Sequence, residues 1–311
     1  MRVIGAAQVD VALDYKPLVE RLRQAFRSDI AVPLRQHYSI PTYGENDATL
    51  LVMPAWQVGR HIGIKIVTVF PDNAEKSLPS IMGAYLLSDG KTGAPLALID
   101  GPSLTVRRTA CASALAANYL ARQDAERLLM VGTGALAPHL ILAHAAVRPL
   151  RNVLIWGRNY DKARRLAARL DRGRLRVAAT EDLEGAARGA DVISCATMSN
   201  EPIIQGDWLE PGTHLDLVGA YKPTMRECDD EAVLRSRLFV DTREGALTEG
   251  GDLAQPLAAG LITADDIAGD LFDLTRGDRA GRRYYDQITL FKSVGTAIED
   301  LAAAQLTVQQ A

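Results

Sequence analysis

The feature that most restricts the fold of this chain is the regular alternation of strand-like and helix-like segments that begins near residue 125. Short apolar runs such as RLLMVG, NVLIWGR, DVISCAT and RLFVDT are separated by segments with helical periodicity, among them ALAPHLILAHAAV and YDKARRLAARL. Strands that alternate with helices favour crossover connections, which build a parallel sheet covered on both faces. The second half of the chain is therefore predicted to be an α/β domain.

A glycine-rich turn lies between the first strand and the first helix of this alternation. In VGTGALA, Gly132, Gly134 and Ala137 have G-x-G-x-x-A spacing. The first glycine permits a tight turn, the second lets the backbone approach a pyrophosphate, and the following helix directs its N-terminus at the phosphates. Such turns also occur for packing reasons alone, but the strand–turn–helix context favours dinucleotide binding.

The next strand, NVLIWGR, ends without the acidic residue that holds the ribose hydroxyls in NAD-binding folds. Arg158 stands there instead, followed by Asn159, and Lys162 comes one helical turn later. A cation with a planar set of donors suits a 2′-phosphate, although Arg158 in water at a loop tip is the alternative. We expect NADP(H) to be preferred and NAD(H) to be possible, with Thr197 and Met198 beside the ribose and nicotinamide.

The first 120 residues have a different pattern. TLLVMPAW, HIGIKIVTVF, IMGAYLLSD and PLALIDG indicate strands, SDGKTGAP a hairpin connection, and helices are predicted at about 15–28 and from Ser103 onwards. The last segment, DQITLFKSVGTAIEDLAAAQLTVQQA, is predicted to be a short loop and a long helix that packs on the first domain. We therefore predict an α+β domain at 1–120, completed by 288–311, and a dinucleotide-binding domain at 121–287.

Three cations of the first domain are candidates for a substrate pocket: Arg35, Lys65 and Arg108. Alternation within GIKIVTV places Lys65 on one sheet face with Gly63 and Val67, where a buried ammonium would need a partner. A strand lysine whose tip reaches solvent remains the alternative, and either arginine alone would often be a surface charge. Together the three would form a receptor for a small carboxylate.

Composition excludes several classes of protein. A formal net charge of −3 provides no electrostatic reason to expect nucleic acid or an anionic membrane as partner, and no apolar run approaches the about 18 residues of a membrane span. The three cysteines are far apart, and the five histidines are scattered, so no metal site is predicted. Acidic residues occur too early for a signal peptide, and we expect a cytoplasmic protein.

Several stretches together resemble the ornithine cyclodeaminase/mu-crystallin family over almost the whole chain: LLVMPAW, GIKIVTVFPDN, LPSIMGAYLLSDGKTGAPLALIDG, LTVRRTACAS, VGTGALA, ISCAT and ITLFKSVGTAIEDLAAA. The resemblance implies a Rossmann domain, an N-terminal domain that also forms a homodimer, and a C-terminal helix that returns to it. It implies that Arg35 and Arg108 hold the substrate carboxylate and that Lys65, near the imine or amine nitrogen, is catalytic. The complete predicted cofactor set is Ser80, Arg108, Gly132, Gly134, Ala135, Leu136, Arg158, Asn159, Lys162, Thr197, Met198, Val218 and Lys292.

Two positions depart from the family pattern. Tyr221 aligns with the aspartate that serves amine elimination in cyclodeaminases, and Leu136 occupies a position that is usually glutamine. Without that aspartate, the loop is similar to those of the ketimine reductases in the family. Tyr221 is assigned to the substrate site, either as a hydrogen-bond donor or packed against the nicotinamide.

The function expected from this resemblance is NADPH-dependent reduction of a cyclic ketimine carboxylate, a small imino acid. Δ1-Pyrroline-2-carboxylate, giving L-proline, is the leading substrate, and Δ1-piperideine-2-carboxylate, giving L-pipecolate, is its sister. Three alternatives stay open: ornithine cyclodeaminase, amination of a 2-oxo acid as in alanine dehydrogenases, and a protein that binds NADPH and a small acid without turnover.

Overall fold

The structure is a computed structural model that describes residues 1–43, 46–171 and 173–311, with the side chains of all of these except 74 and 75. The chain divides into two compact units. The first contains residues 1–109 and 296–311, and the second contains residues 110–295. Within the described ranges, no helix is long and apolar enough to cross a membrane.

The first unit is built on a six-stranded sheet. Its elements up to the first crossing of the unit boundary are β1 Arg2–Ile4, α1 Ala6–Ala12, α2 Tyr15–Arg27, β2 Gln36–Ile40, β3 Ala48–Gln57, β4 His61–Val69, β5 Ile81–Asp89, β6 Pro95–Asp100 and α3 Gly101–Leu120. The strand order is β1-β6-β5-β4-β3-β2, and neighbours are antiparallel except β1 and β6. The hairpin predicted between β5 and β6 is confirmed.

The second unit is an eight-stranded sheet flanked by helices. Its elements are β7 Arg127–Val131, α4 Ala137–Val147, β8 Asn152–Trp156, α5 Tyr160–Leu170, β9 Arg176–Ala179, α6 Leu183–Arg188, β10 Val192–Cys195, β11 His214–Leu217, α7 Asp230–Leu234, β12 Arg237–Val240, α8 Arg243–Glu249, α9 Gly251–Ala258, β13 Ile267–Asp270, α10 Leu271–Arg276 and β14 Thr289–Lys292. The chain then re-enters the first unit as α11 Ala297–Gln310.

All strands of the second sheet are parallel, in the order β13-β12-β14-β11-β10-β7-β8-β9. Six neighbouring strands of this sheet have the order 3-2-1-4-5-6 of a Rossmann fold, namely β9, β8, β7, β10, β11 and β14. The order reverses between β7 and β10. The predicted class, a Rossmann domain together with an α+β domain, is confirmed. Ligands of such sheets bind at the carboxyl ends of the strands near this reversal.

The structure corrects the sequence analysis at two elements. The segment around Thr289–Lys292 was predicted to be a loop, but it is β14, which pairs with both β11 and β12. Helix α3 begins at Gly101, because the Asp100 carboxylate accepts a hydrogen bond from the Ser103 backbone N–H at 2.8 Å. Asp100, and not Ser103, thus supplies the capping side chain.

Alternation along β4 separates the two faces of the first sheet. Gly63 and Lys65 are buried, whereas Ile66 on the opposite face is 43% exposed. Helix α11 packs against the buried face, where Leu301 lies close to Gly63. A side chain at Gly63 would collide with the hydroxyl of Tyr85 from β5, so glycine leaves the room that this buried tyrosine needs.

Candidate functional site

The glycine-rich turn of the second unit has the geometry of a phosphate-binding loop. Gly132 has a φ of +121°, and a Cβ there would lie 2.6 Å from the Ala196 carbonyl oxygen, so only glycine fits. Gly134 is exposed, and no atom of the described chain lies within 4 Å of the place its Cβ would occupy. The N-cap residue of α4, Leu136, makes no side-chain capping bond. A helix start without a side-chain cap, next to a glycine with open space around it, leaves room for a bound pyrophosphate.

The residues after β8 also lie at the carboxyl edge of the sheet. Arg158 is exposed immediately beyond the strand. Asn159 is the N-cap of α5, because its side-chain oxygen accepts a hydrogen bond from the backbone N–H of Lys162 at 2.9 Å. The Lys162 side chain is exposed, and so is Ala135 in the glycine-rich turn. This edge therefore presents two cations, Arg158 and Lys162, beyond the end of β8, the strand that pairs with β7 next to the glycine-rich turn.

A single buried carboxylate joins the ends of β10 and β11. One oxygen of Glu227 accepts hydrogen bonds from the Thr197 backbone N–H at 2.7 Å and from the Thr197 hydroxyl at 2.8 Å. Its other oxygen accepts from the N–H groups of Gly219 at 2.6 Å and Ala220 at 3.2 Å. A Cβ on Gly219 would lie 2.0 Å from the Thr197 carbonyl oxygen, so the two loops can approach only with glycine there.

Behind Glu227 lies a buried ion pair. Lys292 at the end of β14 places its Nζ 2.9 Å from a carboxylate oxygen of Asp252, and both side chains are fully buried. The other oxygen of Asp252 accepts a hydrogen bond from the Glu227 backbone N–H at 2.7 Å. Burial raises the pKa of Glu227 to about 7, with Lys292 opposing the increase. Burial alone would lower the pKa of Lys292, but the charges of Asp252 and Glu227 raise it.

Three other predicted residues lie on the same two loops. Met198 follows Thr197 and is 67% exposed. Val218 is nearly buried, and its N–H donates to the Cys195 carbonyl at 2.9 Å, which continues the β10–β11 pairing. Tyr221 comes directly after Ala220 and is half-buried, and burial raises its pKa. The Lys222 ammonium lies 5.7 Å from the centre of the Tyr221 ring.

The first unit contains a buried cluster of two cations and two carboxylates. Lys65 Nζ lies 3.1 Å from Asp300 Oδ1, and Arg108 Nε lies 2.9 Å from the same oxygen. Arg108 Nη1 also contacts Glu299 Oε2 at 2.6 Å. The structure thus brings Lys65 and Arg108 together through acidic residues of α11, and the formal charges of the four groups cancel.

This environment changes how Lys65 titrates. Burial and the neighbouring Arg108 lower its pKa from 10.5 to about 8, although Asp300 acts in the opposite direction. Tyr85 pairs with Lys65 across the sheet, and burial together with the charge of Asp300 raises the pKa of its hydroxyl. A buried lysine whose pKa is lowered to about 8 is suited to proton transfer.

The two remaining predicted residues, Arg35 and Ser80, also belong to the first unit. Arg35 is half-buried directly before β2. Gln36 pairs with Val52, which pairs with Ile66, so Arg35 comes at the level of Met53 and Lys65 in the sheet. Ser80 precedes β5, where its carbonyl accepts a hydrogen bond from the Phe70 N–H at 2.8 Å.

Sequence reasoning missed the buried carboxylates that contact the predicted site residues: Glu227, Asp252, Glu299 and Asp300. A signal for two of them was available, because Glu299 and Asp300 stand side by side inside the otherwise apolar helix sequence AIEDLAAA. Acidic residues are rarely fully buried unless they are paired. The pair therefore pointed to cations at the surface on which the helix packs.

Comparison with known proteins identifies relatives along the whole chain. The profile of the ornithine cyclodeaminase/mu-crystallin family matches residues 2–311. The Δ1-pyrroline-2-carboxylate reductase of Colwellia psychrerythraea is 40% identical over 316 residues, which cover 100% of this chain and 99% of that protein.

Solved structures show the same similarity. Thermococcus litoralis Δ1-pyrroline-2-carboxylate reductase, in complex with NADH and L-proline, superposes with a TM-score of 0.93 at 33% identity, covering 100% of this chain and 97% of that one. An archaeal alanine dehydrogenase dimer with bound NAD has a TM-score of 0.91 at 28% identity, covering 100% and 95%.

Proposed function

The chain belongs to the ornithine cyclodeaminase/mu-crystallin family, and from this we propose that it reduces Δ1-pyrroline-2-carboxylate to L-proline with NADPH. At the coarser level the protein is an NAD(P)H-dependent oxidoreductase that acts on C=N bonds. Δ1-Piperideine-2-carboxylate, one ring carbon larger, is the second proposed substrate and gives L-pipecolate. The relative solved with NADH and L-proline supports this reaction type.

The observation that carries the proposal is Lys65, a buried lysine with a pKa of about 8 beside a second cation and two carboxylates. Reduction of a C=N bond adds a hydride to carbon and a proton to nitrogen. The nicotinamide cofactor supplies the hydride when it is bound. Lys65 supplies or stabilises the proton at the imine nitrogen, which makes the imine carbon more electrophilic.

The proposed roles of the other site residues follow from charge. Arg35 and Arg108 bind the substrate carboxylate, since guanidinium groups pair with carboxylates through two parallel hydrogen bonds. Arg35, which comes at the level of Lys65 in the first sheet, is the third cation of the proposed pocket. Tyr221, in the place of the cyclodeaminase aspartate, lacks a negative charge at neutral pH and cannot assist elimination as a carboxylate does.

The proposed cofactor is NADP(H), with NAD(H) as a possible second. The glycine-rich turn would hold the pyrophosphate, and Arg158 and Lys162 would bind the 2′-phosphate at the end of β8. Thr197, Met198, Val218 and the buried Lys292 behind them would shape the nicotinamide site. The relatives solved with NADH and NAD support a nicotinamide cofactor without distinguishing its phosphorylated form.

The test is a pair of assays on the purified protein. Oxidation of NADPH with Δ1-pyrroline-2-carboxylate, followed by nicotinamide absorbance, is expected to be rapid, and L-proline should accumulate in equal amount. L-Ornithine is expected to release no ammonia. Ammonia and proline from ornithine would instead establish a cyclodeaminase, amination of pyruvate would indicate an alanine dehydrogenase, and cofactor binding without any turnover would indicate a binding protein.

We also propose that the protein forms a homodimer through the outer face of the first sheet. This face opposes the one that α11 covers, and it is strongly apolar across β3, β4 and β5. Trp56, Ile66 and Met82 are 37%, 43% and 39% exposed there. Neighbouring exposed apolar side chains are typical of interfaces, and the archaeal relative, a dimer, supports a second copy as the partner.

A further inference from the structure

One carboxylate oxygen connects the two cations of the buried cluster. Asp300 Oδ1 contacts Lys65 Nζ at 3.1 Å and Arg108 Nε at 2.9 Å, and the Asp300 side chain is fully buried. These residues are 235 and 192 positions apart from Asp300 in sequence. The contact therefore exists only because α11, the last helix of the chain, packs on the inner face of the first sheet.

Charged and titratable groups of three elements lie next to Lys65. Arg108 faces it from α3, Glu299 and Asp300 face it from α11, and Tyr85 stands opposite it on β5. On β3 the paired residue is Met53, which carries no charge. Burial and Arg108 disfavour the ammonium form of Lys65, and the Tyr85 hydroxyl is neutral because its pKa is raised. The charges of Asp300 and Glu299 favour the ammonium, and Asp300 also accepts a hydrogen bond from it at 3.1 Å.

We propose that Asp300 is a positioning residue that fixes the Lys65 ammonium and the Arg108 guanidinium relative to each other and keeps Lys65 protonated for its role at the substrate nitrogen. The inference rests on the proposed function, because it assigns Lys65 to proton transfer. It adds a residue of the C-terminal helix to the reaction. A carboxylate that holds a donor in register reduces the rotamers the lysine can sample and keeps its proton available.

The distinguishing property is charge, so the primary variant is Asp300→Asn, which keeps the shape. We expect the alkaline limb of kcat/KM for imine reduction to move down by about one pH unit or more, with activity recovering at lower pH. Glu299→Gln is the matched control, because Glu299 is equally buried and pairs with Arg108 at 2.6 Å, whereas Asp300 contacts Lys65 directly. Its limb should move less. An unmoved limb in Asp300→Asn, with activity reduced equally at every pH, would mean a merely structural role and overturn the proposal.

A second measurement does not depend on turnover. Isotope-labelled lysine Cε resonances, with Lys65 assigned through Lys65→Met, report the Lys65 titration directly by NMR. The midpoint should fall in Asp300→Asn. It should stay near that of the wild type in Asp300→Glu, which retains the charge and provides the test should the neutral variant fail to fold. A fall in Asp300→Glu would overturn the proposal. Wild-type protein that fails to reduce the imine yet shows this titration would refute the proposed function and leave the role of Asp300 in holding the proton intact.

Discussion

Lys65 is the proposed catalytic residue, and its environment predicts a pH profile. Its lowered pKa of about 8 means that the ammonium form is lost as the pH rises through that value. In the proposed mechanism the ammonium is the proton donor, so kcat/KM for imine reduction should decline above about pH 8. Lys65→Met should reduce kcat about 100-fold or more. Lys91→Met, in the exposed β5–β6 turn, is the control, and a profile that stays level well above pH 8 would contradict the assignment.

Arg158 is the residue that we propose selects the form of the cofactor. It is exposed at the end of β8, where a 2′-phosphate would lie, and a paired guanidinium–phosphate contact contributes roughly 1.5–3 kcal/mol. Arg158→Ala should therefore raise KM for NADPH about tenfold or more and leave KM for NADH nearly unchanged. Steady-state kinetics with both cofactors checks this. Arg164→Ala, on the exposed surface of α5, serves as the control, and equal changes for both cofactors would show that Arg158 does not contact the phosphate.

How well the sequence predicted the surroundings of a single residue depended on how far away along the chain its neighbours lie. Alternation in β4 was enough to put Lys65 on one face with Gly63, and the structure shows that face to be buried. The partner of Lys65 could not be predicted, because Asp300 is 235 positions away and local periodicity holds no information about which helix packs on which sheet. The predicted roles of Arg35, Arg158 and Tyr221 remain predictions.

Glu227 acts at the scale of two strands, because its carboxylate ties the end of β10 to the end of β11. All four donors that it accepts are N–H or O–H groups of Thr197, Gly219 and Ala220. Glu227→Gln would turn an NH₂ group towards some of these donors, leaving buried groups unsatisfied. We expect a loss of about 1–3 kcal/mol in the free energy of unfolding and weaker cofactor binding.

Urea denaturation and calorimetric titration with NADPH would measure the two effects of Glu227→Gln. Glu231→Gln is the matched control, since Glu231 lies on α7 with its side chain half exposed. Unchanged stability together with unchanged cofactor affinity would show that the two loops keep their positions without this carboxylate.

Among whole elements, the strands predicted best were those whose apolar runs stand between clear helices and turns. One of the strands that were missed, β14, has only four residues, and a run such as TLFK does not distinguish a strand from a buried loop. It forms a strand because β11 and β12 lie on either side of it and both pair with it. Its position also explains the burial of Lys292, whose ammonium reaches Asp252 inside the second unit.

At the scale of the whole molecule, the exposed outer face of the first sheet predicts that two chains associate. Ile66 lies on its outer face between Val52 and Ala84, where a buried ammonium in a dimer would have no partner. Ile66→Lys should therefore weaken association by several kcal/mol, on the order of 100-fold or more, while the fold of each chain persists because the position is solvent-facing in one copy. Sedimentation equilibrium should find a dimer for the wild type and a monomer for the variant. Val11→Lys, on the 85% exposed surface of α1, should remain dimeric. A wild-type monomer, or a variant that dimerises as tightly as the wild type, would place the interface elsewhere.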